Sequence, residues 1–330
     1  MDNSSRSDSD SYHRSSRYES SQGHQEDEGR GRRPYRSNRD TGGDRRRDND
    51  FRARGSPMDN ENEMKIYGVN ACRSFFENRP EMLIRAYFSE EMAYRFGYVM
   101  KACAKARKAY RIVSNFEMEK IAETKHHQGA CFLIKKNPGF TVKDYLDETV
   151  DLDADCIVAL ERLGNPHNVG AILRTCAHFG VEGMLVNDPM MAQSGAAVRT
   201  AEGGAEYVQF IDGGRISDSL PAFKAAGYQV VATSSNGGEN LYKAALPDKM
   251  VLLMGPESTG LSEVLMDQAD VLVKIPGSEN VESLNVATAT GILLGEYWRQ
   301  KDFAPGQPIV PMDGEERYVA DPEDELSNFE

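Results

Sequence analysis

The chain has 330 residues, 39% of them hydrophobic, and a formal net charge of −13. This length fits about two domains, and the apolar content is sufficient for a packed core. No apolar run reaches the roughly 18 residues of a membrane span, and the N-terminus lacks the apolar segment of a signal peptide. The five cysteines have no C-x-x-C spacing, which favours buried thiols in a reducing compartment over a disulfide or zinc framework. We expect a cytoplasmic protein that contacts no membrane.

The termini differ from the rest of the chain in composition. Residues 1–62 are rich in Ser, Arg, Asp and Gly, and they cannot bury enough surface to offset the entropy of ordering. We predict a disordered arm whose arginine clusters either contact RNA without sequence preference or keep the chain soluble. Residues 301–330 are acidic and predict a disordered tail. Between them, residues 61–136 carry a net charge of +5 and residues 137–300 carry −12.

Residues 63–136 predict a small α/β domain. The hydrophobic pattern indicates helices over 70–78 and 92–109, and strands over 84–88 and 130–134. The second helix carries Lys101, Lys105 and Lys108 at three- to four-residue spacing, which would form a basic stripe. The stripe is a candidate RNA contact, although a charged helix face is more often plain solvated surface. The adjacent pair His126 and His127 lacks partners at metal-ligand spacing, which favours a polar loop.

The longest part of the chain predicts a parallel sheet. Residues 137–154 are polar and turn-rich and indicate a linker, whereas residues 155–300 alternate strands and helices. This order predicts an α/β domain with helices on both faces of the sheet. Ligands bind such sheets at the carboxyl ends of the strands. Three polar segments follow strands there: NPHNVGAILRT, LMGPESTGLS and IPGSENVESLNVATA.

Each of the three segments carries residues that could perform chemistry. In the first, Arg174 lies off the buried helix row, with Gly170 leaving space one turn before it; a plain surface arginine is the alternative. In the second, Glu257 places a carboxylate at the end of a strand, between glycines that permit close backbone approach. In the third, Ser283 and Asn285 precede a long helix, where backbone N–H groups lack intrahelical partners. None of the three is a G-x-G-x-x-G or P-loop sequence.

In this order and spacing, the three segments resemble the three motifs of the SpoU or TrmH family of RNA ribose 2′-O-methyltransferases, within the SPOUT class. The intervening SGAAVRTAEGGAEYV also resembles that family. Residues 64–136, with YGVNACRSFF and HHQGACFLI, resemble its N-terminal substrate-binding domain. The full layout resembles the bacterial YfiF-type branch.

The resemblance implies a SPOUT-type parallel sheet whose C-terminal segment is threaded into a deep trefoil knot, an exception to the usual unknotted connections. It also implies a homodimer whose active site is completed across the interface. The cofactor would be S-adenosylmethionine, held by backbone at Gly255, Ile275 and Leu284.

The resemblance also suggests roles for side chains. It assigns activation of the 2′-hydroxyl to Arg174, with Glu257, Ser283 and Asn285 shaping the site. Because a guanidinium stays protonated, we expect Arg174 to grip an RNA phosphate and stabilise a developing alkoxide, with Asn165 orienting it. No metal is required. Many family members have a serine where this chain has Glu202.

Two further hypotheses compete with an RNA 2′-O-methyltransferase. One is a non-catalytic RNA-binding protein that retains the knotted scaffold; the intact Arg174 and Glu257 argue against it. The other is a nucleotide-dependent oxidoreductase, which lacks its glycine fingerprint. The sequence leaves open whether the substrate is rRNA or tRNA.

Overall fold

The computed structural model describes residues 62–301, apart from Asn236 and Glu279. The described residues all belong to one compact unit. The predicted N-terminal arm and C-terminal tail lie outside the described residues, except for one residue at the inner end of each. Within the described residues, no helix is both long and apolar enough to cross a membrane.

The first part of the chain forms a four-stranded sheet. Its order is β1-β4-β2-β3, with β4 antiparallel to both neighbours and β3 parallel to β2. The elements are β1 (Glu63–Tyr67), α1 (Val69–Asn78), β2 (Leu83–Ser89), α2 (Glu90–Ala93), α3 (Gly97–Lys105), β3 (Ala109–Val113), α4 (Asn115–Ala122) and β4 (Ala130–Lys135).

An aromatic core holds this small sheet to its helices. Phe88 and Phe132 on the sheet make edge-to-face contact at 5.8 Å between ring centroids, and Phe75 of α1 contacts Phe132 at 6.2 Å. Phe96, just before α3, stacks on Phe88 at 5.0 Å. All four side chains are buried. Burial of aromatic side chains of this size contributes roughly 1.5–3 kcal/mol each, which fixes α1 and the start of α3 on one face of the sheet.

The helix predicted over 92–109 is wrong in length. It is divided into α2 and α3, and the chain leaves α3 at Lys105 to form β3, an edge strand that the sequence pattern did not reveal. Arg107 turns the chain with a positive φ of 55°, which ends the helical repeat. Lys108 therefore lies off the predicted stripe. Its Nζ donates to the carbonyls of Pro80 and Glu81 at 2.7 and 2.9 Å, and partial burial lowers the pKa of this lysine.

The rest of the described chain forms an eight-stranded, wholly parallel sheet, as the alternating pattern predicts. Its order is β10-β12-β9-β11-β6-β7-β8-β5. The elements are β5 (Phe140–Thr141), α5 (Val142–Glu148), β6 (Asp155–Leu160), α6 (Pro166–Phe179), β7 (Gly183–Val186), α7 (Pro189–Ala192), α8 (Gly195–Thr200), a 3₁₀ segment (Gly204–Tyr207), β8 (Gln209–Asp212), α9 (Ile216–Ala225), β9 (Gln229–Thr233), β10 (Glu239–Asn240), β11 (Lys249–Met254), α10 (Glu263–Met266), β12 (Val271–Lys274) and α11 (Val286–Lys301).

The segment 137–154, predicted to be a linker, instead extends the large sheet. Phe140 and Thr141 form β5, which pairs with β8 at the sheet edge. Thr141 begins α5 through a capping box with Asp144, so its polar residues serve as helix-start signals. Tyr145 of α5 is buried against the sheet. A short edge strand and a helix of two turns are easily mistaken for a turn-rich loop.

The amino ends of the large sheet's strands enclose a buried carboxylate. Asp155 at the start of β6 accepts hydrogen bonds from the hydroxyls of Tyr145 and Tyr228 at 3.0 and 2.5 Å. Burial raises the pKa of Asp155, and the two tyrosine donors oppose that rise. This cluster lies at the amino ends of the strands, whereas the polar loops lie at their carboxyl ends. We therefore assign it to stability rather than to catalysis.

All five cysteines are buried free thiols, as their apolar flanks predict: Cys72, Cys103, Cys131, Cys156 and Cys176. Burial raises the pKa of each of them. A thiol with a raised pKa is poorly ionised near neutral pH and reacts slowly.

Candidate active site

The strand order favours a ligand crevice at the carboxyl ends of β6 and β11. The chain runs from β6 through β7 to β8 on one side, then crosses to β9 on the other side of β11. Crevices in open parallel sheets form where the strand order reverses in this way. The loops after β6, β11 and β12 lie at these carboxyl ends. They are the three polar segments identified in the sequence.

Three side chains, one from each loop region, join at this crevice. Oε1 of Glu257 accepts hydrogen bonds from Nδ2 of Asn285 at 2.6 Å and from Nδ2 of Asn168 at 3.3 Å. Asn285 Nδ2 also donates to Oδ1 of Asn168 at 3.1 Å. The same Glu257 oxygen accepts from the backbone N–H of Val286 at 3.2 Å. A charged carboxylate forms stronger hydrogen bonds than a neutral acceptor, so Glu257 stabilises the relative positions of the three loops.

Two helices start at this crevice, and each is capped by an asparagine. Asn165 Oδ1 accepts from the N–H of His167 at 3.0 Å at the start of α6. Asn285 Oδ1 accepts from the N–H groups of Ala287 and Thr288 at 3.0 and 3.3 Å at the start of α11. Side-chain oxygens at this position satisfy backbone donors that the helix itself leaves unpaired.

The capping role of Asn165 corrects one prediction. Asn165 is nine residues before Arg174 on the same helix, a separation of about 13 Å along its axis. Its side-chain oxygen is engaged with His167 and does not orient the arginine. The sequence places the two residues in one motif, but a straight helix keeps them apart.

Gly170 also has a different role from the predicted one. A Cβ built at this position would lie 2.5 Å from Cβ of Thr200 and would clash with the carbonyl oxygen of Ala197. Gly170 therefore allows α8 to pack closely on α6, and it leaves no open space beside Arg174. The same packing brings Thr200 Oγ1 within 3.3 Å of His167 Nδ1.

Arg174 is exposed, and within the described residues its guanidinium has no hydrogen-bond or ion-pair partner. Its backbone lies against the 3₁₀ segment, where a Cβ built at Gly204 would lie 3.0 Å from Arg174 Cα. Arg174 is six residues after Asn168, so it lies about 9 Å further along α6 and on another side of the helix. The structure therefore does not bring Arg174 to the Asn168–Glu257–Asn285 cluster of the same chain.

The residues predicted to hold the cofactor, Gly255, Ile275 and Leu284, lie in the second and third loops, as does Ser283. Within the described residues, the backbone groups of Ile275 and Leu284 form no hydrogen bonds and are available to a ligand. Gly255 permits a tight fold of the second loop, because a Cβ there would lie 2.6 Å from the Gly260 carbonyl carbon. Ser283, next to Leu284 in the third loop, is exposed.

The structure adds two residues to which the sequence assigned no individual role. Asn168 bonds to both Glu257 and Asn285, and its position in the NPHN sequence was the available signal. Glu161, buried after β6, accepts from the N–H of Ser262 at 2.8 Å and so ties the first loop to the second. No local pattern marks Glu161, since its partner lies 101 residues away.

The 3₁₀ segment and the residues before it also contact the small sheet domain. Glu202 Oε2 accepts from Asn70 Nδ2 at 2.7 Å, and the carbonyl of Gly203 accepts from the hydroxyl of Ser74 at 2.9 Å. Arg79 forms an ion pair with the buried Glu206 at 2.7 Å. Glu202 thus serves a contact between the two parts of the chain.

The described residues contain no group of three or more His, Cys, Asp or Glu side chains that could hold a metal ion. His127 instead stabilises a turn, because its Nδ1 accepts from the N–H of Gly129 at 2.9 Å. His126 contributes its carbonyl, which accepts from Arg199 Nε at 2.7 Å.

Fold and loop geometry together define an open parallel α/β domain with a ligand crevice at its strand ends, preceded by a smaller sheet domain. Residues 155–295 match the SpoU rRNA Methylase family, and residues 65–139 match the domain described as RNA 2′-O ribose methyltransferase substrate binding. The chain belongs to the SpoU methylase family.

Individual relatives agree with this assignment. The chain is 49% identical over 238 residues to an uncharacterized tRNA/rRNA methyltransferase, YfiF, of Escherichia coli O157:H7, covering 72% of this chain and 68% of the relative. It is 30% identical over 244 residues to the 23S rRNA (guanosine-2′-O-)-methyltransferase RlmB of Acinetobacter baylyi, covering 71% and 96%. The SpoU methyltransferase AviRb of Streptomyces viridochromogenes, solved with the cofactor AdoMet, superposes with a TM-score of 0.61 at 21% identity, covering 73% and 91%. That likeness establishes the fold.

Proposed function

We propose that this protein transfers the methyl group of S-adenosylmethionine to a ribose 2′-hydroxyl of rRNA or tRNA. The observation that carries the proposal is the junction of Asn168, Glu257 and Asn285, which joins the three loops at the carboxyl edge of the sheet. Family membership supports the reaction, since the relative RlmB is named a guanosine 2′-O-methyltransferase. AviRb, which shares the fold, was solved with AdoMet.

Backbone groups at the crevice are of the kind that suits this cofactor. S-adenosylmethionine carries an adenine, hydroxyls and an amino-acid end, all of which suit backbone N–H and C=O groups. The available backbone of Ile275 and Leu284 and the tight turn at Gly255 fit such a ligand. When bound, the cofactor supplies an electrophilic methyl group. The protein supplies orientation, because Glu257 holds the three loops in one arrangement.

Arg174 is the proposed catalytic residue. Its guanidinium is exposed, permanently charged and without a protein partner in the described part of the chain, so it is available to an RNA phosphate and to a developing alkoxide. Because it lies on another side of α6 from Asn168, its placement supports an active site completed by a second copy of the chain. Homodimerisation, the trefoil knot and a cytoplasmic location belong to this proposal.

Methyl transfer is tested directly with the full chain, labelled S-adenosylmethionine and total rRNA or tRNA. Mapping of 2′-O-methyl positions in RNA from cells with and without the gene then identifies the nucleotide. The alternative, a non-catalytic RNA-binding scaffold, predicts RNA binding without label transfer and identical maps. Label in a base rather than a ribose would contradict the proposed chemistry.

Replacing Gly255 with alanine should weaken S-adenosylmethionine binding by at least tenfold. The added Cβ would lie 2.6–2.7 Å from the backbone of Gly260 and Leu261, so the second loop must open. Gly277→Ala is the matched control, because nothing lies within 4 Å of a Cβ there and the residue belongs to the third loop. Calorimetry with the cofactor measures both variants. Equal affinities would show that the second loop does not contact the cofactor.

The dimer should form through α11 and the loop before it. Val281 and Leu284 are 69% and 41% exposed in the isolated chain, and apolar side chains beside a helix start are often covered by a partner. Gly291→Asp should dissociate the dimer in sedimentation velocity runs at micromolar concentration. Gly291→Ala should not, because only the Thr175 methyl, at 3.8 Å, lies near a Cβ there. A monomeric parent protein would refute the dimer.

A further inference from the structure

The two faces of the four-stranded sheet differ in what covers them. Side chains alternate between faces along each strand. On one face Phe88, Phe132 and their neighbours are buried under α1 and α3. On the other face α4 covers only one end, where Met118 packs with Cys131 and the partly buried Tyr67 and Tyr87.

The rest of this second face, which we call the open face, carries a cluster of cations. Lys65 lies opposite Leu133, Leu133 opposite Arg85, and Lys135 follows two residues further along β4. Arg111 of β3 lies opposite Tyr87. We define the open face by the following residues: Lys65, Arg85, Arg111, Leu133 and Lys135. Glu63, which lies opposite Lys135, is on the same face.

Most of the positive charge on the open face has no acidic partner. Lys65 pairs with Glu123 at 2.5 Å. In contrast, Arg111 and Lys135 are exposed, and neither forms an ion pair within the described residues. Arg85 donates through Nη1 to the Tyr87 hydroxyl at 3.3 Å, while its Nε is buried without a partner. The exposed charges of Arg111 and Lys135 favour an anionic ligand on this face.

The open face is connected to the active site through α8. A Cβ built at Gly195, the first residue of α8, would lie 2.9 Å from the carbonyl oxygen of Lys65. At the other end of α8, Thr200 contacts His167, which adjoins Asn168 of the loop junction. Because α8 has only six residues, its two ends are about 8 Å apart. A polyanion on the open face therefore passes close to the start of α6.

We propose that the open face binds an unpaired segment of the substrate RNA, an inference that rests on the proposed function. Exposed phosphates would pair with Arg111 and Lys135. The partly exposed Arg85 side chain presents a planar guanidinium on which an unstacked base can pack, whereas bases inside a duplex are not available to a flat sheet. Of the predicted basic stripe, Lys101 and Lys105 remain on α3. They are exposed on the helix that covers the opposite face of the sheet.

The test compares two double variants of the full chain that each remove two positive charges. Arg111→Gln with Lys135→Gln changes the open face, and Lys101→Gln with Lys105→Gln changes α3. Fluorescence anisotropy follows binding of an RNA hairpin with a single-stranded loop and of a fully paired duplex of equal length. We expect the open-face variant to bind the hairpin at least tenfold more weakly. Its slope of log K against log salt should fall by about 1.4–1.8. We expect less than a twofold change in the α3 variant and weaker duplex binding by the parent.

Equal or larger weakening in the α3 variant, or parental affinity in the open-face variant, overturns the inference. Equal binding of hairpin and duplex by the parent overturns its unpaired-segment component. A changed sedimentation coefficient in the open-face variant would make this face an interface between copies and also overturn it. Methyl transfer is measured alongside. If the open-face variant keeps both its RNA affinity and its methyl transfer, only this inference is refuted. If the parent binds the hairpin but transfers no methyl group, only the proposed function is refuted.

Discussion

Arg174→Ala is expected to lower the rate of methyl transfer by about 10²–10³-fold at saturating cofactor and RNA, the loss typical when one charge-stabilising group is removed. The guanidinium is exposed and without a protein partner in the described part of the chain, so its removal should leave the fold intact. Its proposed contact with developing alkoxide exists mainly in the transition state, so affinity for cofactor should stay near the parental value. Single-turnover transfer with labelled cofactor measures the effect.

Two further variants make this result specific. Arg215→Ala removes another exposed arginine, located before α9 and outside the three loops, and should transfer methyl at the parental rate. Arg174→Lys keeps the charge but loses the planar fork, so partial activity is expected. If Arg174→Ala and Arg215→Ala transfer at the same rate on a verified RNA substrate, Arg174 is not catalytic.

Glu257→Ala is expected to weaken S-adenosylmethionine binding by about 10–100-fold, because one Glu257 oxygen accepts hydrogen bonds from all of its loop partners. Removing it leaves Asn168 and Asn285 without their common acceptor, so the second loop loses its hydrogen bonds to the first and third loops, which stay joined by the Asn285–Asn168 bond. Calorimetry with the cofactor gives the affinity, and thermal unfolding separates this effect from loss of the fold.

A double-mutant cycle isolates the junction itself. Glu257→Ala and Asn285→Ala should be non-additive, with a coupling free energy of about 1–3 kcal/mol in cofactor binding. Glu263→Ala is the control, since Glu263 is an exposed carboxylate at the start of α10, close in sequence but outside the junction. Additive effects of Glu257→Ala and Asn285→Ala would mean that the loops bind the cofactor independently.

Much of the large sheet could be predicted from the sequence because its central strands are buried on both faces. Strands such as β6, with every residue buried, contain an apolar run (residues 156–160) that is typical of a parallel sheet covered on both faces. Edge strands lack this signal: β3 is exposed at four of its five positions, and β5 has only two residues. β3 forms by pairing with β2, and β5 by pairing with β8. No short-range sequence pattern reveals such pairing.

The candidate site likewise has features that the sequence predicts and features that depend on tertiary contacts. Loop positions at strand ends follow from strand order, so the meeting of Glu257 and Asn285 could be expected. The role of Gly170 could not, because it depends on α8 packing against α6, a tertiary contact between residues about 27 positions apart. Asn165 and Arg174 share a motif, yet helix geometry separates them. Membership of one motif does not imply contact between its side chains.

The contacts of Asn70, Ser74 and Arg79 with the segment at Glu202–Glu206 have a consequence for target choice. They hold the small sheet domain on the segment that packs against α6 at Arg174, so the protein fixes the spacing between the proposed RNA-binding face and the arginine. On the proposed function and RNA-binding face, we expect the modified nucleotide to lie at a fixed distance from the bound segment, so that lengthening the RNA between them by one nucleotide shifts the modified position by one.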